Sequence, residues 1–118
     1  MTRLTAPYHV QLTTDGGGAA SQDIVVTGLL YAVEVQGGTF TGGTLVVESD
    51  TSGTLTDLLT VTANQDKVFY PRESVVNDTG IALSASTYQA IVTQLTVSVS
   101  GAGATKVGDI YIHILEKT

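Results

Sequence analysis

The stretch Asp23–Gly38, DIVVTGLLYAVEVQGG, decides the fold. After Gly28, the residues Leu29, Tyr31, Val33 and Val35 alternate with Leu30, Ala32 and Glu34. A period of two belongs to a β-strand, whose successive side chains point to opposite faces. β-Branched and aromatic residues also pack well on a pleated surface. The reading puts Leu29, Tyr31, Val33 and Val35 on one face, and Leu30, Ala32 and Glu34 on the other. Glu34 brings that second face to solvent. Gly28, inside an apolar run, predicts a bulge or bend.

The same pattern recurs outward from this strand. Before it, Tyr8, Val10 and Leu12 alternate with His9, Gln11 and Thr13, and TTDGGGAAS reads as a flexible loop. After GGTFTGG, TLVVESD turns Leu45 and Val47 one way and Val46 and Glu48 the other. DTSG is a turn, TLTDLLTVTAN sets Leu59, Val61 and Ala63 on one face, and KVFYP is a short strand stopped by Pro71. NDTG is another turn, Ile81–Leu83 a brief extension, and ASTYQA is ambiguous and admits one helical turn. QAIVTQLTVSVSG places Ile91, Thr93, Leu95, Val97 and Val99 on one face; GAGATKVGD reads as a hairpin loop; DIYIHILEK turns Ile110, Ile112 and Ile114 inward, with Tyr111 and His113 outward. Seven to eight short strands parted by Gly-, Asp- and Thr-rich turns point to an all-β domain, an antiparallel β-sandwich or small jelly-roll-like barrel. No segment is long and periodic enough for a crossover helix, which excludes a parallel α/β plan. The expected core is Leu29, Tyr31, Val33, Leu59, Val61, Leu95, Val97, Val99, Ile110, Ile112 and Ile114. Residues 1–20 form an N-terminal segment with a short strand and a Gly-rich loop, and residues 21–118 a single β domain.

Composition agrees. Of 118 residues, 19 are Thr, 15 Val and 13 Gly, and only 14% are charged, against about 25% in average domains. With no Cys there is neither a disulfide framework nor thiolate chemistry. Residues 2–14, TRLTAPYHVQLTT, have no apolar core of signal-peptide length, and no apolar run approaches a membrane span. A soluble protein made in a cytoplasm is expected. The net charge is −6, which disfavours binding to phosphate backbones. No Lys or Arg occurs between Arg3 and Lys67, while Asp15, Asp23, Glu34, Glu48, Asp50, Asp57 and Asp66 fall there. That run reads as a solvated acidic surface or as one negative side of the domain.

No chemistry-bearing constellation emerges. His9 and His113 sit mid-strand on the polar side, and nucleophilic catalysis needs a base oriented by a third group. Metal binding by the two would need neighbouring first and last strands and a third ligand. Asp50 and Asp57 flank one turn, and Asp66 and Asp78 flank the stretch 67–73; turn aspartates commonly bond their own backbone. Neither the GGG at 16–18 nor the GAGA at 101–104 lies between a strand and a helix, as a phosphate cradle would. The expectation is no enzyme, no cofactor, no metal, no nucleic acid and no membrane. A sugar site on Tyr70 or Tyr88 would have to work without Trp.

By elimination the stretch KVFYPRESVVNDTG, 67–80, stands out. It gathers Lys67, Phe69, Tyr70, Pro71 and Arg72 in a chain with five Lys and Arg and seven Tyr and Phe. Two readings are open. In one, the side chains alternate across an ordinary strand, Pro71 ends it, and Arg72 neutralises Glu73 or Asp66. In the other, Phe69, Tyr70 and Arg72 form an anchor at a protein–protein contact, since Tyr and Arg are enriched at interface hot spots.

The run VTANQDKVFYPRESVVNDTGIAL, 61–83, resembles small head proteins of tailed bacteriophages. The shared features are a hydrophobic strand ending in an aromatic–Tyr-Pro-Arg element, a D-T-G-like turn and a small apolar residue. LYAVEVQGGTFTGGTLVVE and the closing strands are similar in character, so the resemblance spans roughly residues 24–115. It implies a virion structural protein, foremost a capsid decoration or cement protein. Such proteins are small β domains on the outer capsid surface, often trimers over local threefold axes, which hold neighbouring capsomers after the shell expands. The implied partners are the major capsid protein and further copies of the chain, and the implied location is the virion. The alternatives are another virion part (head–tail joining, tail or head-fibre protein) and a carbohydrate- or receptor-binding β module.

Overall fold

Strand β3, Ala20–Gln36, is 17 residues long and belongs to both layers of the molecule. The computed structural model describes the backbone of residues 2–4, 7–51, 54–71, 73–76, 82–88 and 91–117, with side chains for 7–49, 57–71 and 94–115. The other strands are β1 (Thr2–Leu4), β2 (Tyr8–Thr13), β4 (Thr44–Thr51), β5 (Thr54–Thr62), β6 (Asp66–Phe69), β7 (Glu73–Val76), β8 (Ala82–Tyr88), β9 (Ile91–Ser100) and β10 (Val107–Lys117). Eight form one sheet, and β7 and β8 pair separately. All the pairings are antiparallel. No helix occurs among the described residues.

The N-terminal half of β3 pairs with β9 through Ala20–Leu29. Its C-terminal half pairs with β10 on one side and β6 on the other. The sheet is thereby divided at β3. One half-sheet runs β2–β10–β3–β6, with β1 continuing along β10 beyond β2; the other runs β3–β9–β4–β5. A strand that changes layers at a bend is a known way to make the corner of a sandwich. Val10, Val33, Ile110 and Ile112 of the first half join Leu45, Val47, Leu95 and Val97 of the second in one core cluster. Each such side chain contributes about 1.5–3 kcal/mol when fully buried.

The bend lies where Gly28 predicted it. β3 carries an extra residue against β9 between Val25 and Gly28. It carries another against β10 at Tyr31, between the pairs Leu30–Ile114 and Ala32–His113. Bulges increase local twist and bend the strand. Gly28 has φ 145, and a Cβ there would stand 2.6 Å from Ile114 Cγ2 and 2.6 Å from the Leu115 carbonyl oxygen. Only glycine combines that backbone with that approach.

The second bulge corrects the face assignment. An inserted residue shifts the phase of alternation, so Leu30 is buried together with Val33 and Val35. Leu29 and Tyr31 are only half-buried. Leu59 and Val61 are likewise half-buried, packed against the core rather than within it. Val97, Val99, Leu95 and the three isoleucines of β10 are buried as the alternation implied.

Two connections also differ from the sequence reading. β9 and β10 do not form a hairpin; β3 lies between them, so residues 101–106 cross from one layer to the other. Alternation fixes faces but not neighbours, so the sequence had no means of placing β3 there. The segment 82–88 is strand β8 rather than a helical turn, with Tyr88 opposite Glu73 and Thr87 opposite Ser74. Pairing with β7 satisfies its backbone groups without a helix.

The loops 14–19, 37–43 and 101–106 meet at one end of the layers, where Thr41 N–H donates to the Ala102 carbonyl and Ala102 N–H to the Gly18 carbonyl. Thr14 Oγ1 donates to the Gly103 carbonyl at 2.6 Å and accepts the Lys106 N–H at 2.7 Å. Asp15 accepts the N–H groups of Gly17 and Ala19 at 2.8 and 3.2 Å, closing the Gly-rich turn. Those bonds hold its carboxyl below the usual carboxylate range. Phe40, inside the GGTFTGG loop, is buried in the core cluster. Its ring lies against Gly108, where any Cβ would collide with it.

Candidate functional site

The two layers present different outer faces. Across β3, β9, β4 and β5 the paired positions Asp23, Thr96, Glu48 and Asp57 form one row, and Ser21, Ser98, Val46 and Thr60 the next. Thr96 Oγ1 donates to Asp23 Oδ1 at 2.8 Å. Desolvation, and secondarily the Asp57 carboxylate beside it, pushes the Glu48 carboxyl up.

Across β2, β10, β3 and β6 the rows are His9, Tyr111, Glu34, Val68 and Gln11, Asp109, Gln36, Asp66. The His9 and Tyr111 rings stack at 4.7 Å with an interplanar angle of 11°. His9 Nε2 lies 2.7 Å from Asp109 Oδ1, and Gln11 Nε2 donates to the same oxygen at 3.4 Å. Gln36 Nε2 donates to Glu34 Oε2 at 2.6 Å, and His113 Nε2 is 4.0 Å from Glu34 Oε1. This face is held together by side chains bonded across neighbouring strands.

β2 and β10 are neighbours, so His9 and His113 do share this outer face. Each meets its own carboxylate, Asp109 and Glu34. Among the described residues no three His, Cys, Asp or Glu side chains are grouped to hold a metal. Asp57 faces Glu48 across the strand pair, and the Asp50 side chain lies outside the described ones. Asp66 accepts the Gly37 N–H at 3.1 Å, tying two turns together. Asp78 lies outside the described residues.

The stretch that stood out in the sequence forms β6 and its exit. Val68 and Tyr70 alternate onto the outer face, 38% and 56% exposed. Tyr70 meets Tyr31 edge-on, with centroids 5.7 Å apart at 84°. Phe69 turns the other way and packs, half-buried, against the core. Lys67 Nζ stands 5.4 Å from the centre of its ring. Pro71 is buried, and Arg72 and the Tyr88 side chain lie outside what is described. The structure therefore joins Tyr70 to Tyr31 and Val68 and sets Phe69 apart from them as a tether for the strand. Sequence reasoning missed Tyr31, which it assigned to the core, and Val68. The parity of Val68 with Tyr70 was visible; the bulge that frees Tyr31 was not.

The class this defines is an antiparallel β-sandwich whose edge strand and its exit present an exposed Val–Tyr pair beside a His–Tyr–carboxylate face. No family model matches the chain, and neither a curated protein nor a solved structure matches it.

Proposed function

We propose that this chain is a non-enzymatic structural protein of a tailed-bacteriophage head. In this reading it is a decoration protein that binds the major capsid protein on the outer surface of the expanded shell and associates with copies of itself. The observation that carries the reading is Tyr70. It is more than half exposed immediately after the edge strand β6, within the run whose Tyr-Pro-Arg element resembles phage head proteins. A large ring held outward by a neighbouring ring loses little conformational freedom on docking. The outer face favours protein contact over sugar stacking, because the rings of Tyr111 and Tyr31 are already engaged by His9 and Tyr70.

The role makes a thermodynamic demand. A cement protein stabilises the expanded shell only by binding it better than the unexpanded one. Several weak contacts from one assembly multiply into firm attachment. The test is co-sedimentation of the purified protein with expanded and unexpanded heads of the phage that encodes it. Binding to expanded heads alone is expected, with density on the outer shell by cryo-electron microscopy. Equal binding to both forms, or to neither, overturns the proposal.

A further inference from the structure

β6 pairs with Val33–Gln36 of β3, and no strand of the described residues takes its other edge. An open edge offers unpaired N–H and C=O groups to another strand. We infer that this edge pairs, antiparallel and about a twofold axis through Val68, with β6 of a second copy of the chain. The inference rests on reading the Tyr70 strand as a protein contact and names its partner.

The register follows from symmetry and side-chain chemistry. Residues paired across an antiparallel ladder share a face, and a twofold axis normal to the sheet relates each residue to its own copy. The axis must therefore pass beside a residue paired with itself. Centred on Asp66 or Lys67, it sets like charges directly opposite, which destabilises a pair. Centred on Phe69, it sets Lys67 opposite the partner's Pro71, which has no N–H for the ladder. Centred on Val68, it places Val68 against the partner's Val68, Asp66 against the partner's Tyr70, and Lys67 against the partner's Phe69. Every contact but the central one occurs twice.

Each of those contacts is chemically sound. Asp66 uses Oδ1 for the Gly37 N–H, and a carboxylate has further lone pairs for a phenol O–H. The Lys67 ammonium already stands over its own Phe69 ring, and a second ring adds the same kind of attraction. Val68 loses its exposed surface. A short strand, a lysine and a following proline are also the devices that protect an edge. Here they act selectively: Lys67 rejects the register centred on itself, Pro71 rejects the one centred on Phe69, and one register is left. The product joins two half-sheets into a continuous sheet and is a dimer, not the trimer that the resemblance implies.

The chain has no cysteine, so Val68→Cys supplies its only thiol. The two copies of residue 68 would have Cα atoms about 4.5–5.5 Å apart, within the span of about 4.4–6.8 Å that a disulfide accepts. Val25→Cys, at a position 80% exposed, reports random collision. The Val68→Cys chain should oxidise to a covalent dimer at least about tenfold faster than the Val25→Cys chain, because pairing raises the effective thiol concentration. Adding Lys67→Glu should remove that advantage. Equal rates at positions 68 and 25, or a Lys67→Cys chain that cross-links as fast as Val68→Cys, overturn the inference. Sedimentation of the unaltered chain into the millimolar range is the second measurement: a growing dimer supports the pairing, and a monomer throughout or a trimer overturns it. Head binding is scored separately. A dimer that ignores heads removes the decoration reading and keeps the pairing; a monomer that binds expanded heads does the reverse.

Discussion

On one outer face, Asp23, Thr96, Glu48 and Asp57 cross four strands; on the other, His9, Tyr111, Glu34 and Val68 do. Beneath both lies the same kind of inner face, built mainly of Val, Leu and Ile that alternate along the strands except where β3 bulges. The inner half of the alternation is set by burial and allows little choice. The outer half is free to differ, and there one layer sets its acids among hydroxyls while the other sets its acids among rings and imidazoles. The difference teaches that in a sandwich of this kind the fold is written at every second residue and the contact surface at the residues between.

The sharpest way to break the comparison is to put the same charge on each side of one alternation. Val97→Asp places an unpaired carboxylate in the core, at a cost of several kcal/mol against a total stability of about 5–15 kcal/mol. Val68→Asp places it on the outer edge. Circular dichroism melts should show no cooperative transition for the first variant and a near-normal one for the second. A cooperative melt for Val97→Asp would remove that residue from the core.

Phe40 tests whether a loop can belong to the inner face. Truncating a buried Phe costs about 3–5 kcal/mol, so Phe40→Ala should lower the denaturant midpoint markedly without changing oligomeric state. Little change would mean that the ring only covers Gly108 and supports nothing else.

Phe40 also shows where the sequence was silent. Strands with clean alternation, such as 95–99 and 110–114, were legible because burial on one face imposes the period. Phe40 sits between glycines and threonines, where no period exists, and its partner Gly108 is nearly seventy residues away. The phase error at Tyr31 has a similar cause: Gly28 announced a bend, but nothing local announced a second bulge three residues later. Of the candidate site, strand parity made it legible that Val68 and Tyr70 share a face, but not that this face is the outward one. The row from His9 to Val68 was not legible, because it depends on β10 and β6 flanking β3, which is a matter of strand order.

Tyr70→Ala sharpens the comparison between tether and contact. Tyr70 gives its fold one edge-on ring pair with Tyr31, worth about 0.5–1.5 kcal/mol. As a hot spot it would give an interface about 2 kcal/mol or more. The variant should melt almost as the parent does yet associate at least about tenfold more weakly. Phe69→Ala should do the opposite, lowering the melting temperature first. If Tyr70→Ala lowers the melt and leaves association unchanged, Tyr70 is a packing residue and the contact lies elsewhere.

The smallest effects come from the titrating groups of the acidic layer and its loop end, and they have opposite signs. Asp15 is held below its ordinary value of 3.8 by backbone N–H groups, first that of Ala19. The folded state therefore prefers its charged form. Its contribution is present above that value and fades as pH falls through the lower folded pKa. Glu48 is raised above its ordinary value of 4.5, first by desolvation and then by Asp57. The folded state therefore prefers its protonated form. That preference stabilises fully below the ordinary value and is lost as pH rises through the folded pKa. At neutral pH the Glu48–Asp57 pair is thus a small liability, and Glu48→Gln should raise the melting temperature slightly at pH 7. The gain should vanish in acid, where Glu48 is already protonated. Asp15→Asn should lower the melt at pH 7, with the loss shrinking toward pH 3. Melting curves for both variants between pH 3 and pH 7 check the two signs together. A Glu48→Gln gain independent of pH would locate the benefit in packing rather than charge, and would leave the acidic row as a tolerated surface with no electrostatic strain.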